Sequence, residues 1–199
     1  FDPLYRYVTR YGWRGLLVEP LPDQFEQLRR NYEGHQGLSF ENVAIADEPC
    51  IRPMYRIDPD AVKRGLVPDW ARGISSFFND RNALGGLRVP AQSYEQMRPH
   101  ITTETVYCDS LANVLRRHRV RKIDVFVTDV EGYDYQVLRQ FDFGQFSPSV
   151  ILMEWYNLPH DERRLSLSLL RKHDYRTVSV WEGCVENLLT WRGINLDLK

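Results

Sequence analysis

Apolar residues recur along this chain in two alternating rhythms. Leu4, Tyr7, Val8 and Tyr11 fall at i, i+3, i+4 and i+7, one face of a helix. Past Gly12 and Gly15, Leu16-Leu17-Val18 is continuously apolar and closes on Glu19-Pro20, the pattern of a short strand covered on both faces. Phe25, Leu28 and Tyr32 mark a second helix, opened near Pro22 with Asp23 as the expected N-cap and ended by Gly34 and Gly37. Leu38-Ser39-Phe40 and Val43-Ala44-Ile45-Ala46 supply the next strand region. Strand, helix, strand at this spacing is a βαβ rhythm.

From about residue 49 to 105 the rhythm breaks into a stretch rich in proline and glycine, with short strands expected at Met54–Ile57 and Thr105–Tyr107 and a helical turn at Ser93–Met97. An insertion of this length is expected to form a lid or substrate loop. Order then returns. Asp109 or Ser110 caps a helix through Leu111, Val114 and Leu115. Ile123–Val127 is a strand ending at Thr128-Asp129-Val130-Glu131-Gly132, and a short helix carries Tyr133, Val137 and Leu138. Val150–Met153 is a strand closing on Glu154, and a helix from Pro159 to His173 is expected to bury Leu165, Leu169 and Leu170. Tyr175–Trp181 and Val185–Trp191 read as two strands joined by a short turn. The pattern predicts an α/β fold. Its sheet is expected to be mostly parallel and doubly wound, with a C-terminal antiparallel hairpin, in a single domain over 1–199. An α/β chain that opens on a helix suggests a first strand, with its glycine-rich turn, upstream of Phe1.

Composition narrows the classes. Hydrophobic residues make up 43% of the 199 positions and charged residues 27%, a globular balance. The net charge of -1 provides no field toward nucleic acid or an anionic membrane. No apolar run reaches the roughly 18 residues of a membrane span, and no secretory signal opens the chain. Cys50, Cys108 and Cys184 are odd in number and scattered, which argues against a disulfide framework or a zinc site. A reducing compartment, the cytoplasm, is the expectation. The five histidines show no metal-ligand spacing, so no metal is expected. The run Arg116–Lys122 reads as a solvated helix C-terminus, where cations suit the dipole. Nothing in the chain signals an oligomeric state.

Candidate chemistry gathers at strand ends. In open parallel sheets the ligand lies beyond the carboxyl ends of the strands, and three predicted strands end in acids: Glu19, Asp129 with Glu131, and Glu154. A carboxylate after the second strand can accept both hydroxyls of a ribose; capping of the next helix is the alternative for each acid. Ser75 and Ser76, beside Phe77 and Phe78, could line an acceptor pocket or sit in a pinned surface loop. Trp155 and Tyr156 could wall the same pocket or pack the core.

These residues carry a resemblance. Leu17-Val18-Glu19-Pro20 before a helix, Glu41-Asn42-Val43-Ala44-Ile45-Ala46-Asp47, and Ile123–Gly132 with its Asp-Val-Glu-Gly block resemble the FkbM family of class I methyltransferases. The resemblance implies a Rossmann-like domain using S-adenosylmethionine. It implies that Glu19, with Pro20 beside it, binds the ribose hydroxyls and that Asn42, Val43 and Ala44 lie against the adenine. It implies that Asp129 sits near the methionine moiety and the acceptor. The expected reaction is O-methylation of a small-molecule hydroxyl on a sugar or natural-product scaffold, with Asp129 and Glu131 as candidate bases and Glu154 behind them. The partner is a small acceptor, with no nucleic acid and no membrane. The family usually has a lysine two residues before the Asp129 position, where Val127 stands here. That departure and the absent glycine turn favour the alternative of a catalytically degenerate binding or assembly module. A nicotinamide-dependent oxidoreductase also uses an acid after the second strand but leaves the Asp-Val-Glu-Gly block unexplained.

Overall fold

The computed structural model describes residues 2, 4–80, 84, 91–182 and 185–193. Its chain divides into two compact units, Phe1–Pro53 with Glu104–Arg119, and Met54–Thr103 with Val120–Lys199.

In the first unit, helix α1 (Tyr5–Tyr11) ends at Gly12, whose left-handed φ of 63° returns its N–H to the Val8 carbonyl. Strand β1 (Gly15–Val18) follows, then helix α2 (Pro22–Asn31) and strand β2 (Leu38–Glu41), with β1 and β2 paired in parallel from Gly15↔Leu38 to Val18↔Glu41. The N-cap of α2 is Leu21 rather than Asp23, and no side chain caps it. Pro22, with its φ already helical, opens the first turn and moves Asp23 inside it, where a negative charge still suits the dipole. Strand β3 (Ala44–Ile45) pairs in parallel with the later strand that contains Cys108 and Asp109. Strand β4 (Cys50–Ile57) then carries the chain into the second unit.

The described residues of the segment read as a lid or substrate loop include the expected strands at Met54–Ile57 and Thr105–Tyr107 and the helical turn at Ser93–Met97, and further elements besides. Helix α3 (Pro59–Lys63) is capped by the Asp58 carboxylate, and a 3₁₀ turn spans Asp69–Gly73. Strand β5 (Ser75–Ser76) pairs antiparallel with β4, Tyr55 opposite Ser76, and helix α4 covers Ala91–Met97. Ile57, Ala61, Val62, Val67, Ala71, Tyr94 and Met97 close a core of their own, with Ile101 packed against it. Strand β6 (Ile101–Asp109) returns the chain to the first unit, where Ser110 caps helix α5 (Leu111–Arg117) by accepting the Asn113 N–H.

The remaining elements form the main sheet of the second unit: strand β7 (Val125–Thr128), helix α6 (Asp134–Leu138), strand β8 (Val150–Glu154), helix α7 (His160–Lys172), and strands β9 (Arg176–Glu182) and β10 (Val185–Trp191). The strand order is β7-β8-β10-β9, with β7 parallel to β8 and β10 antiparallel to both β8 and β9. Two residues separate β9 from β10, too few for the crossover that a parallel pair needs. The described residues thus form a mixed α/β architecture of three sheets, where the sequence pattern pointed to one mostly parallel sheet. The apolar face of α7 also differs from expectation: Ser166 and Leu170 are buried while Leu165 is exposed. Ser166 fits the interior because its hydroxyl donates to the Glu162 carbonyl one turn earlier. Among the described residues no helix is long and apolar enough to cross a membrane.

Candidate functional site

In the first unit the chain leaves β1 through a tightly tied turn. The Glu19 N–H extends the ladder to the Glu41 carbonyl, and the Glu19 Oε1 accepts the Leu21 N–H at 2.9 Å. From the end of β2, the Asn42 amide donates to the Glu19 carbonyl at 2.8 Å and to the Pro20 carbonyl at 3.0 Å. One side chain therefore locks the turn that presents the Glu19 carboxylate. Val43 and Ala44 lie buried behind it, and Asn42 is exposed.

Beside this turn is a network that the sequence pattern did not reveal. Arg117 donates through Nε to Glu41 at 2.9 Å and through Nη1 to Asp109 at 2.9 Å, while His118 Nε2 faces the other Glu41 oxygen. Burial pushes the Glu41 carboxyl up, but the hydrogen bonds from His118 and Arg117 outweigh it and hold the group below its ordinary range. Asp109 is held low in the same way, by Arg117 and Asn113 against burial. Arg117 and His118 are thus part of a cross-element ion network, not simply a solvated helix end. The sequence periodicity reads a helix face, whereas Glu41 reaches Arg117 and His118 from 76 and 77 positions away.

In the second unit the acids after β7 and β8 come together. One carboxylate oxygen from each of Asp129, Glu131 and Glu154 lies within 4.8 Å of the others, Glu131 and Glu154 buried and Asp129 exposed. The turn that achieves this puts Glu131 at φ 47° and Gly132 at φ 93°. A left-handed glutamate is uncommon and needs outside support. Ser76 gives that support: its buried hydroxyl donates to the Glu131 carbonyl at 2.8 Å and accepts the Phe78 N–H at 3.1 Å. Ser75 is half-buried, and Phe77 packs edge-on to Tyr133 just past the turn.

The carboxylates are also held from the β8 side. The Asn157 Nδ2 donates to Glu131 Oε2 at 2.5 Å and to Glu154 Oε2 at 3.1 Å, so one amide bridges two buried acids. Asn157 is placed by Arg163, whose guanidinium donates to the Leu158 and Tyr156 carbonyls and lies 5.6 Å over the Trp155 ring. Trp155 is buried and Tyr156 half-buried. Neither Arg163 nor the clamping role of Asn157 has a local signature, since both depend on a turn of backbone rather than on spacing.

A further acid, Asp134, stands at the start of α6 with no exposed surface, pushed up to about 7 by burial and then by the charge of Asp129. The exposed Asp129 and the two buried acids can take a proton from a hydroxyl, and an oxygen-only set of this spacing can equally surround a hard cation.

A family model, the methyltransferase FkbM domain, matches residues 1–177. Neither a curated protein nor a solved structure matches the chain. The family match runs through both the Glu19 turn and the Asp129–Glu131–Glu154 cluster, and the chain belongs to the FkbM methyltransferase family.

Proposed function

We propose that this chain transfers a methyl group from S-adenosylmethionine to a hydroxyl of a small molecule, within one methyltransferase domain. The gathered carboxylates Asp129, Glu131 and Glu154 carry this reading, because a hydroxyl acceptor needs a base and the acids are held for the purpose. The residues fit the cofactor in kind. Glu19 offers a carboxylate at the end of β1, in the turn fixed by the Leu21 N–H, and a carboxylate is the acceptor type that a ribose diol takes. Asn42 is exposed after β2 and offers a polar edge to a purine, while Val43 and Ala44 next to it in the chain are buried. When bound, S-adenosylmethionine supplies a methyl group made electrophilic by its sulfonium.

The chain's part is positioning and proton removal. On methyl transfer to the acceptor oxygen, the hydroxyl proton would pass to a carboxylate of this chain. Asp129 is the base in this reading, since it is the exposed member of the cluster. Glu131 and Glu154, bridged by Asn157, hold the geometry behind it. General base help of this type is worth about 10²–10⁴-fold.

Calorimetric titration with S-adenosylmethionine, S-adenosylhomocysteine and NAD tests the cofactor. Binding of the two sulfur nucleosides and not of NAD is expected; absence of both would leave the binding-module alternative. Asp129→Asn is expected to lower turnover about 10²-fold or more with little change in cofactor affinity, and unchanged turnover removes it as base. Glu19→Ala is expected to weaken the cofactor about tenfold.

A further inference from the structure

The folded insertion holds a pocket of about 580 Å³, inside the range of roughly 300–1,000 Å³ typical of small-molecule sites. Its walls are Tyr55, Asn79, Tyr94, Arg98, Thr102 and Thr103, and Ile101 is the one wholly apolar side chain among the lining residues. Two phenols, an amide and two threonine hydroxyls offer both donors and acceptors. The half-buried Tyr55 adds ring surface against which the C–H face of a sugar can lie, while Tyr94 is mostly taken up by the adjoining core. The pocket carries a guanidinium, and no carboxylate lines it among the described residues. Arg98 pairs with Glu95 at 3.3 Å, but both side chains are more than 60% exposed. Such a pair is worth little, so an incoming anion can displace it.

The pocket is also joined to the acid turn. Tyr55 of its wall stands opposite Ser76 in the β4–β5 pairing, so the two share a face of the ladder. The Ser76 hydroxyl holds the Glu131 carbonyl, and Asn79 lies three residues further on. The β4–β5 pair thus carries a wall of the pocket, Tyr55, and the support of the turn, Ser76.

We propose that this pocket is the acceptor subsite and takes a pyranose-sized polyol bearing one anionic group, a carboxylate or a phosphate, bound by Arg98. The acceptor role rests on the methyltransferase reading; the ligand chemistry rests on the lining alone. The predominantly polar lining favours a sugar over an apolar natural-product scaffold.

Saturation-transfer NMR and calorimetry on the full chain, with glucuronate, glucose 1-phosphate and glucose as probes, test it without any cofactor. At least one charged sugar is expected to bind about tenfold or more tighter than glucose, and the two charged arms distinguish carboxylate from phosphate. Arg98→Gln is expected to erase that advantage and Arg98→Lys to keep part of it, with unfolding midpoints unchanged because Arg98 is exposed. Equal binding of glucose and both charged probes, an unaltered preference in Arg98→Gln, or no binding of any probe would overturn the proposal. If the charged sugars bind through Arg98 while S-adenosylmethionine does not bind, the methyltransferase reading fails and the anionic-sugar pocket stands.

Discussion

The β7-β8-β10-β9 sheet and the β1–β2 pair are made from strands of similar apolar character, yet they bury them very differently. In β8, which has neighbours on both edges, Ile151 and Met153 have no exposed surface. Around the same sheet Phe141, Phe143, Phe146 and Tyr175 are all buried, with Phe126 4.8 Å from Phe141. In β1, paired among the described residues with β2, Leu16, Leu17 and Val18 are half-buried, and α2 buries none of its residues. What orders this region is polar and aromatic. Tyr32 packs between Tyr5 and Phe40 and donates to Asp2, while Arg117 ties Glu41 to Asp109. A strand's apolar sequence therefore does not set how much it contributes; the number of partners covering it does.

The largest test of that difference is a matched pair of truncations. Ile151→Ala is expected to cost about 2–5 kcal/mol in denaturant unfolding, because it opens a cavity in a covered strand. Leu17→Ala in β1 is expected to cost about 1 kcal/mol or less, since less surface is removed from water. Equal costs would break the comparison.

The two regions should also answer pH with opposite signs. Asp134, raised to about 7 by burial and by Asp129, binds its proton more tightly folded than unfolded. Its contribution is present below about pH 4 and is lost as pH rises toward 7. Asp134→Asn is expected to remove that decline, an effect of a few kcal/mol across the window, seen as a flattened pH profile of unfolding. A profile identical to that of the native chain would count against the buried-acid account. Glu41 and Asp109, held low by Arg117, act the other way: their contribution is present at neutral pH and is lost under acid.

The smallest expected effect is that of Arg117→Gln, about 1 kcal/mol or less, because the guanidinium is 46% exposed. It should fade in about 1 M salt, where screening acts within a few ångströms, while the Ile151→Ala penalty should not. Amide exchange at Leu38–Glu41 gives a local readout of the same change.

The positions of the candidate acids were legible because turns and strand ends leave local marks. Glu19 after Leu17-Val18, and Asp129 and Glu131 after Val125–Thr128, lie where the apolar runs stop. Asn157 and Arg163 were not legible in their roles: a bridge between Glu131 and Glu154 exists only once β7 and β8 pair in register, Thr128 opposite Met153. The insertion misled for a related reason. Gly65 sits in a turn, but Pro53 lies inside β4, and the core joins Ile57, Val67, Tyr94 and Met97 across wide gaps, which no short window can register.

The sequence by itself determined the helix and strand rhythm, the acids that close the strands and the family to which they belong, since each is written in neighbouring residues. Tertiary structure alone decided that Glu131 takes a left-handed turn held by Ser76 and that one amide clamps two acids. It also decided that the loop-like insertion carries an open polar pocket. Those features depend on contacts between residues far apart in the chain, and such contacts arise only when packing has fixed which strands are neighbours.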